Sequence, residues 1–231
     1  METSRITSEF EQGARDLHVL HGSVIAENLE KIAPLYAKLN TAAFALEEPT
    51  RIDEAVERLS SVDLLLLASD NRDNLIGFAT YQCIPSSLGK VIYQARGLMP
   101  EARGLGFGRK FPRIAAYELQ ADFLMAKAQN PISIWSTIAS ELFEEVFPID
   151  GDFSCSSEMS QVLLDTVTCR GKRKEVDMRT GVHKNSYTMG KLGDYIPDIS
   201  HSGVSAIQER LTELGIDALN GDAIYYGGKI A

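Results

Sequence analysis

Residues 98–108 read Leu98-Met99-Pro100-Glu101-Ala102-Arg103-Gly104-Leu105-Gly106-Phe107-Gly108. A hydrophobic strand ends here in a proline turn, and an Arg-Gly-x-Gly-x-Gly loop then opens a helix. Glycine takes backbone conformations barred to residues with a Cβ and lets the main chain approach a ligand closely. Amides gathered at a helix N-terminus point at an anion, and the helix dipole favours negative charge there. The stretch reads as a phosphate cradle that suits a pyrophosphate. Glycine-rich loops also serve dinucleotides and nucleoside triphosphates. A dinucleotide fingerprint would run G-x-G-x-x-G, whereas Gly104, Gly106 and Gly108 are spaced two apart. A P-loop would end in Gly-Lys-Ser/Thr, whereas Gly108 is followed by Arg109-Lys110-Phe111. A plain glycine-rich turn is the other alternative; against it stands the backbone entropy that three glycines cost.

The flanking charge agrees with a phosphate ligand. From Gly89 to Lys127 there are seven basic residues (Lys90, Arg96, Arg103, Arg109, Lys110, Arg113, Lys127) and three acids (Glu101, Glu118, Asp122). The stretch is thus +4 inside a chain of formal charge −9. A solvated helix face would explain some of these charges, but not their gathering around the glycines.

The loop resembles motif A of the GNAT superfamily of acyl-CoA-dependent N-acyltransferases, V/L-x-P-x-x-R/Q-G/x-x-G-x-G/A. Leu98, Pro100, Arg103, Gly104, Gly106 and Gly108 stand at the matching places, and the resemblance covers about residues 17–148. It implies an α/β (α+β) fold, with a central mixed, mostly antiparallel sheet flanked by helices and an extended C-terminal region. The implied cofactor is acetyl-CoA or another acyl-CoA. Its pantetheine arm would lie on the backbone of Leu98 and Met99. Its pyrophosphate would sit on the amides of Arg103, Gly104, Leu105, Gly106, Phe107, Gly108 and Arg109, with Arg103 and Arg109 adding charge. The implied activity is transfer of the acyl group to a primary amine of a small molecule or peptide by direct attack on the thioester. A backbone amide near Arg96–Leu98 would stabilise the oxyanion, and alignment of the reactants would remove much of the barrier.

Two features depart from the family pattern. Pro112 falls several residues into the helix after the loop, where it has no N–H for the carbonyl of Gly108. The spacing predicts either a kink or a helix whose regular part starts near Phe111-Pro112. Many family members also carry, after the fifth strand, an Asn-x-x-Ala-x-x-x-Tyr segment whose tyrosine protonates the leaving thiolate. At the expected place this chain reads Ser136-x-x-Ala139-x-x-x-Phe143, without a hydroxyl, and Val91–Met99 offers no carboxylate as a base. Replacement groups are sought at Tyr93 on the fourth strand, Ser136 at the end of the fifth, and His183, whose ordinary pKa suits proton transfer. Their plainer readings are core for Tyr93 and surface loop for His183.

Working outward, the spacing of apolar residues predicts a strand over Leu17–His21 and a helix from Ala26 to about Ala45 kinked or divided at Pro34. A short helix around Ile52–Leu59, capped by Thr50, follows, then strands over Val62–Ala68, Leu75–Ile84 and Val91–Met99. After the loop, Ile114, Tyr117, Ala121, Leu124 and Ala128 recur at helical spacing. Pro131–Ser136 reads as a strand and Glu141–Phe147 as a helix. Beyond these come helices over Ser156–Thr168 and Val204–Leu214 and a terminal strand at Ala223–Tyr226. The chain divides into a tail (1–16), an acyl-CoA-binding core (17–150) and a C-terminal extension (151–231). The extension is expected to complete the sheet and to build the acceptor pocket or a homodimer contact.

Composition sets the outer bounds. At 231 residues, 44% hydrophobic and 24% charged, the chain has the balance of a soluble globular protein. No apolar run approaches a membrane span, and Met1–Arg15 is neither a secretory signal nor a transit peptide, so a cytoplasmic location is expected. Cys83, Cys155 and Cys169 have no metal-ligand spacing and imply no disulfide framework. The acidic balance disfavours nucleic acid as a partner. The basic run Arg170-Gly171-Lys172-Arg173-Lys174 reads as a solvated segment or as a contact for a phosphate or acidic partner. Three readings follow: an acyl-CoA N-acyltransferase, a non-catalytic acyl-CoA-binding or regulatory protein, or an unrelated α/β protein whose loop holds another phosphate ligand or none.

Overall fold

The computed structural model describes residues 4–8, 15–188, 190–192 and 200–231, so the expected tail (1–16) lies partly outside the described residues. The chain forms two compact units, one of 1–82 with 95–107 and one of 83–94 with 108–231. Strands and helices alternate in a mixed, mostly antiparallel arrangement.

In the first unit β1 (Ser4–Ser8) pairs antiparallel with β2 (Arg15–His21), β2 with β3 (Leu64–Ser69), and β3 with β4 (Leu75–Ile84). The C-terminal half of β5 (Val91–Leu98) continues this order. Every residue of β3 is buried, which its run of four leucines requires. The helices α1 (Gly22–Glu27), α2 (Leu29–Ala43) and α3 (Ile52–Leu59) connect β2 to β3. Their apolar faces join Leu65, Leu67 and Phe78 in one core, where Tyr36 meets Phe78 edge-on at 4.8 Å.

The second unit holds the N-terminal half of β5, and α4 (Phe107–Leu119) leads from β5 to the parallel strand β6 (Phe123–Ala128). Parallel neighbours need such a crossover. After α5 (Pro131–Ile138), β7 (Phe143–Phe147) and α6 (Ser157–Cys169), a two-residue β8 (Val182–His183), α7 (Ser202–Glu213) and β9 (Ala223–Ile230) complete the unit. β9 runs antiparallel to β6 on one side and β7 on the other, with β8 also paired to it. Side chains of α6 pack on Tyr93, Phe123, Met125 and Tyr225 in a second core.

Several sequence expectations fail locally. The first long helix breaks at Asn28, whose side-chain amide bonds the Val24 carbonyl at 3.0 Å, and Pro34 lies inside α2. A proline six residues into a helix forfeits one bond without ending it. Arg51, not Thr50, stands at the N-cap of α3, and the Thr50 hydroxyl accepts from Asn40 Nδ2 at 2.8 Å instead. The largest error lies between 121 and 147: the segment around Leu124 is strand β6, Pro131–Ser136 lies in helix α5, and Phe143–Phe147 is strand β7. A strand buried on both faces is a continuous apolar run, which periodicity cannot separate from a buried helix. At α5, the alternation of isoleucine and serine outweighed the Asn130 cap and a proline at the first helical position.

Candidate functional site

β5 ends at Leu98. The Met99 N–H donates to the Ile76 carbonyl at 2.9 Å, and the Met99 carbonyl accepts from Ala102 N at 2.9 Å. Both main-chain groups of Met99, expected to face a ligand, are therefore engaged in the fold. Because strand amides alternate between edges, the Leu98 amide and carbonyl point away from β4. The ladder between β5 and β6 ends at Gln94 and Ala126, four residues before β5 itself ends.

Pro100–Ala102 make one 3₁₀ turn with the proline at its start. Gly104 and Gly106 then take φ of +77° and +80°, the left-handed region open to glycine. A Cβ at either position would meet nothing within 4 Å, so these glycines serve backbone conformation rather than packing. Both are exposed, as are Arg103 and Arg109. α4 begins directly at Phe107, whose ring is buried, and runs 13 residues with Pro112 inside it. Gly108, expected in the loop, belongs to the first turn of this helix. Two left-handed residues before a helix turn successive amides toward one side, as in an anion nest. The open space at both glycines fits a pyrophosphate, with Arg103 and Arg109 as nearby charges in sequence.

Since the strand after α4 is β6, the residues following it are Asn130-x-x-Ser133-x-x-x-Thr137, and Phe143 drops out of the comparison with the family segment. The Asn130 side chain accepts from Ile132 N at 2.8 Å and caps α5. Thr137 is fully buried, and its hydroxyl lies 3.1 Å from the Tyr226 hydroxyl of β9. Composition gave no sign of this pair, which joins residues 89 apart. The Asn-Pro dipeptide at 130–131 was the signal that could have placed α5.

Of the side chains expected to handle protons, Ser136 lies on α5 rather than at a strand end, and its hydroxyl bonds the Ser133 carbonyl at 3.0 Å. Tyr93 is buried, with the Arg170 guanidinium 3.9 Å above its ring, and burial raises its pKa. His183 is buried too, its Nε2 3.0 Å from Glu175 Oε2 and its ring stacked 6.3 Å from that of Tyr225. Tyr93 and His183 thus belong to one neighbourhood in the second unit, on the α6 side of β6 and β9. Lys127, counted above with the charges around the glycines, belongs there as well. Its Nζ donates to Ser186 Oγ at 2.7 Å and stands 4.6 Å from the centre of the Tyr187 ring. Asp222 holds that segment in place by accepting from Lys184 Nζ and Asn185 N, while Tyr187 N bonds the Gly221 carbonyl. The basic run 170–174 folds onto this neighbourhood through Arg170, with Lys172 paired to Glu175 at 3.0 Å.

Among the described residues no group of three His, Cys, Asp or Glu side chains could hold a metal ion, and no helix is long and apolar enough to cross a membrane. No protein-family model matches the chain, and no curated protein matches it in sequence. Solved structures similar to it include a GNAT superfamily phosphinothricin acetyltransferase from Sinorhizobium meliloti in complex with acetyl-CoA. That chain is 20% identical at a TM-score of 0.40, covering 65% of this chain and 80% of that one. The spermidine N-acetyltransferase from Vibrio cholerae, in complex with CoA and spermine, is 21% identical at a TM-score of 0.39, covering 57% and 82%. A ribosomal-protein-S5-alanine acetyltransferase from Vibrio fischeri is 18% identical at a TM-score of 0.40, covering 61% and 85%.

Proposed function

We propose that this protein is an N-acyltransferase that takes an acetyl or other acyl group from acyl-CoA and passes it to a primary amine of a small molecule or peptide. The observation that carries this reading is the pair of left-handed, exposed glycines, Gly104 and Gly106, with open space at both Cβ positions immediately before α4. In this reading the amides from Gly104 to Gly108 hold the pyrophosphate, since the Arg103 N–H donates to the Pro100 carbonyl at 3.2 Å, and the side chains of Arg103 and Arg109 add positive charge. The backbone of Leu98, directed away from β4, receives the pantetheine arm in place of Met99. When bound, acyl-CoA supplies the electrophilic thioester carbonyl. The chain's part is to hold that carbonyl in line with a neutral amine and to set an amide where negative charge develops.

The leaving thiolate needs a proton. The attacking amine loses a proton as the amide bond forms and the C–S bond breaks, and that proton, passed through solvent, converts the thiolate to the free thiol. A second reading, an acyl-CoA-binding protein without turnover, is favoured by Thr137 standing where the family segment has tyrosine and by the lack of a carboxylate in β5. Thiol release from acetyl-CoA in the presence of primary amines separates the two. CoA binding without thiol release for any amine would support the second reading.

A further inference from the structure

We propose that the second unit carries a separate oxyanion site, built by Lys127, Arg170, Ser186 and the hydroxyl of Tyr225, for a small molecule bearing a carboxylate or phosphate next to an aromatic or apolar body. No role in the acyl transfer just described is needed for it. The site draws together elements distant in sequence: β6 supplies Lys127, β9 supplies Tyr225 directly opposite it in register, the end of α6 supplies Arg170, and β8 supplies His183.

Three observations point to an anion. First, charge is unbalanced. Lys127 is half-buried, yet among the described residues its hydrogen bond is to a neutral hydroxyl, and the rings of Tyr187 and Tyr225 stand beside it. The charges facing it are Arg170, Lys172 and the carboxylate of Glu175, and that carboxylate is already shared between Lys172 and His183. Buried charges are ordinarily paired, so a half-buried lysine with no carboxylate partner among the described residues is costly unless something else supplies the counter-charge. Second, of the three buried side-chain polar atoms without a hydrogen bond among the described residues, two lie here: the hydroxyl of Tyr225 and Nδ1 of His183. A carboxylate only accepts, so His183 donates from Nε2 to Glu175, which leaves Nδ1 with a lone pair. Arg170 is close enough to the Tyr225 hydroxyl to draw its pKa down against the effect of burial. Third, the walls are aromatic: Tyr93, Tyr187 and Tyr225 surround the cations and would take the flat or apolar part of a ligand.

Electrostatics agree with this. Burial, then the charges of Arg170 and Lys172, lower the Lys127 pKa to about 8. Burial and the charge of Lys127 lower that of His183 against the pull of Glu175. A bound oxyanion would reverse both trends and draw a proton onto His183 Nδ1, which could then donate to it.

The test is side-chain NMR of the full chain, following Lys127 Nζ, His183 and Tyr225 during titration with inorganic phosphate and, separately, with benzoate. The proposal expects saturable shifts at these side chains with at least one probe and an upward move of the Lys127 and His183 titrations when it is bound. Saturation by phosphate alone would assign a phosphate ligand, and by benzoate alone an aromatic or apolar carboxylate. Hydrogen bonds to charged groups are worth about 1.5–3 kcal/mol, so Lys127→Gln should weaken binding roughly tenfold or more. Lys174→Gln, an exposed lysine of the same run, should change it less than about twofold by the same reasoning. Gly106→Glu should leave these shifts intact, which separates this site from the phosphate loop. Absence of saturable shifts up to concentrations on the order of 10 mM, or equal weakening by Lys127→Gln and Lys174→Gln, would overturn the proposal. If Lys127→Gln fails to fold, the wild-type titrations decide: unmoved Lys127 and His183 pKa values under saturating probe refute it.

Discussion

Gly104 and Gly106 take backbone angles that cost a residue with a Cβ about 1–2 kcal/mol, and the space beside them is empty. Gly106→Glu should therefore give a folded protein with unchanged circular dichroism, while its bulk and negative charge remove CoA binding in a calorimetric titration. Unaltered CoA affinity in the folded variant would refute the loop assignment. Lys127 makes a different prediction. Its folded pKa, about 8, lies below the unfolded value, so between about pH 8 and 10.4 the unfolded chain binds more protons and stability rises with pH. The full penalty applies below pH 8 and, at 1.36 kcal/mol per unit, amounts to roughly 3 kcal/mol. Lys127→Met should raise stability at pH 7 and flatten the alkaline rise, read from urea midpoints at pH 7, 8, 9 and 10. A variant no more stable at pH 7 than the parent, with the rise still present, would contradict this account of the lysine.

At the scale of the element, α5 shows how local chemistry can outrank pattern. Asn130 caps the helix through Ile132 N, and Pro131 occupies the first position, where its missing N–H costs nothing. Asn130→Ala should cost about 1 kcal/mol, or roughly 2–4 °C in Tm for a chain of this length. A Tm within half a degree of the parent would show that the cap is not holding the helix. β3, β4 and β5 were legible because their apolar runs are short and bounded by turn residues such as Asp70–Asn74. β6 was not, since Phe123, Leu124, Met125 and Ala126 are all buried and any period can be drawn through them. β9 was legible only to Tyr226, because Gly227 and Gly228 read as an ending. In the structure they are positions of close approach: a Cβ at Gly227 would stand 2.2 Å from the Leu124 carbonyl, and one at Gly228 2.3 Å from that of Glu145.

At the scale of the molecule, the phosphate loop was legible because its chemistry is contiguous, eleven residues whose types and order carry the meaning. The neighbourhood of Lys127, Arg170, His183 and Tyr225 was not, although each of these residues stood in plain view. Its parts come from four elements, and only the pairing of β9 with β6 and β8 brings them together. The same holds for Thr137 and Tyr226. Non-local contacts set both, and sequence spacing does not encode them. Net charge is equally uninformative at this scale: the chain is −9 overall, yet +4 over residues 89–127.

The central claim is that the loop at 98–108 binds CoA, and thermal denaturation tests it most directly. Acetyl-CoA, free CoA, NAD and ATP would each be added well above a plausible dissociation constant. A ligand at about 100-fold excess that binds only the native state adds roughly 2.7 kcal/mol, or about 5–10 °C in Tm. Stabilisation of that size by acetyl-CoA and CoA, absent with NAD and ATP and lost in Gly106→Glu, is the predicted result. A shift with NAD or ATP and none with either CoA species would contradict the claim and, with it, the proposed acyl transfer.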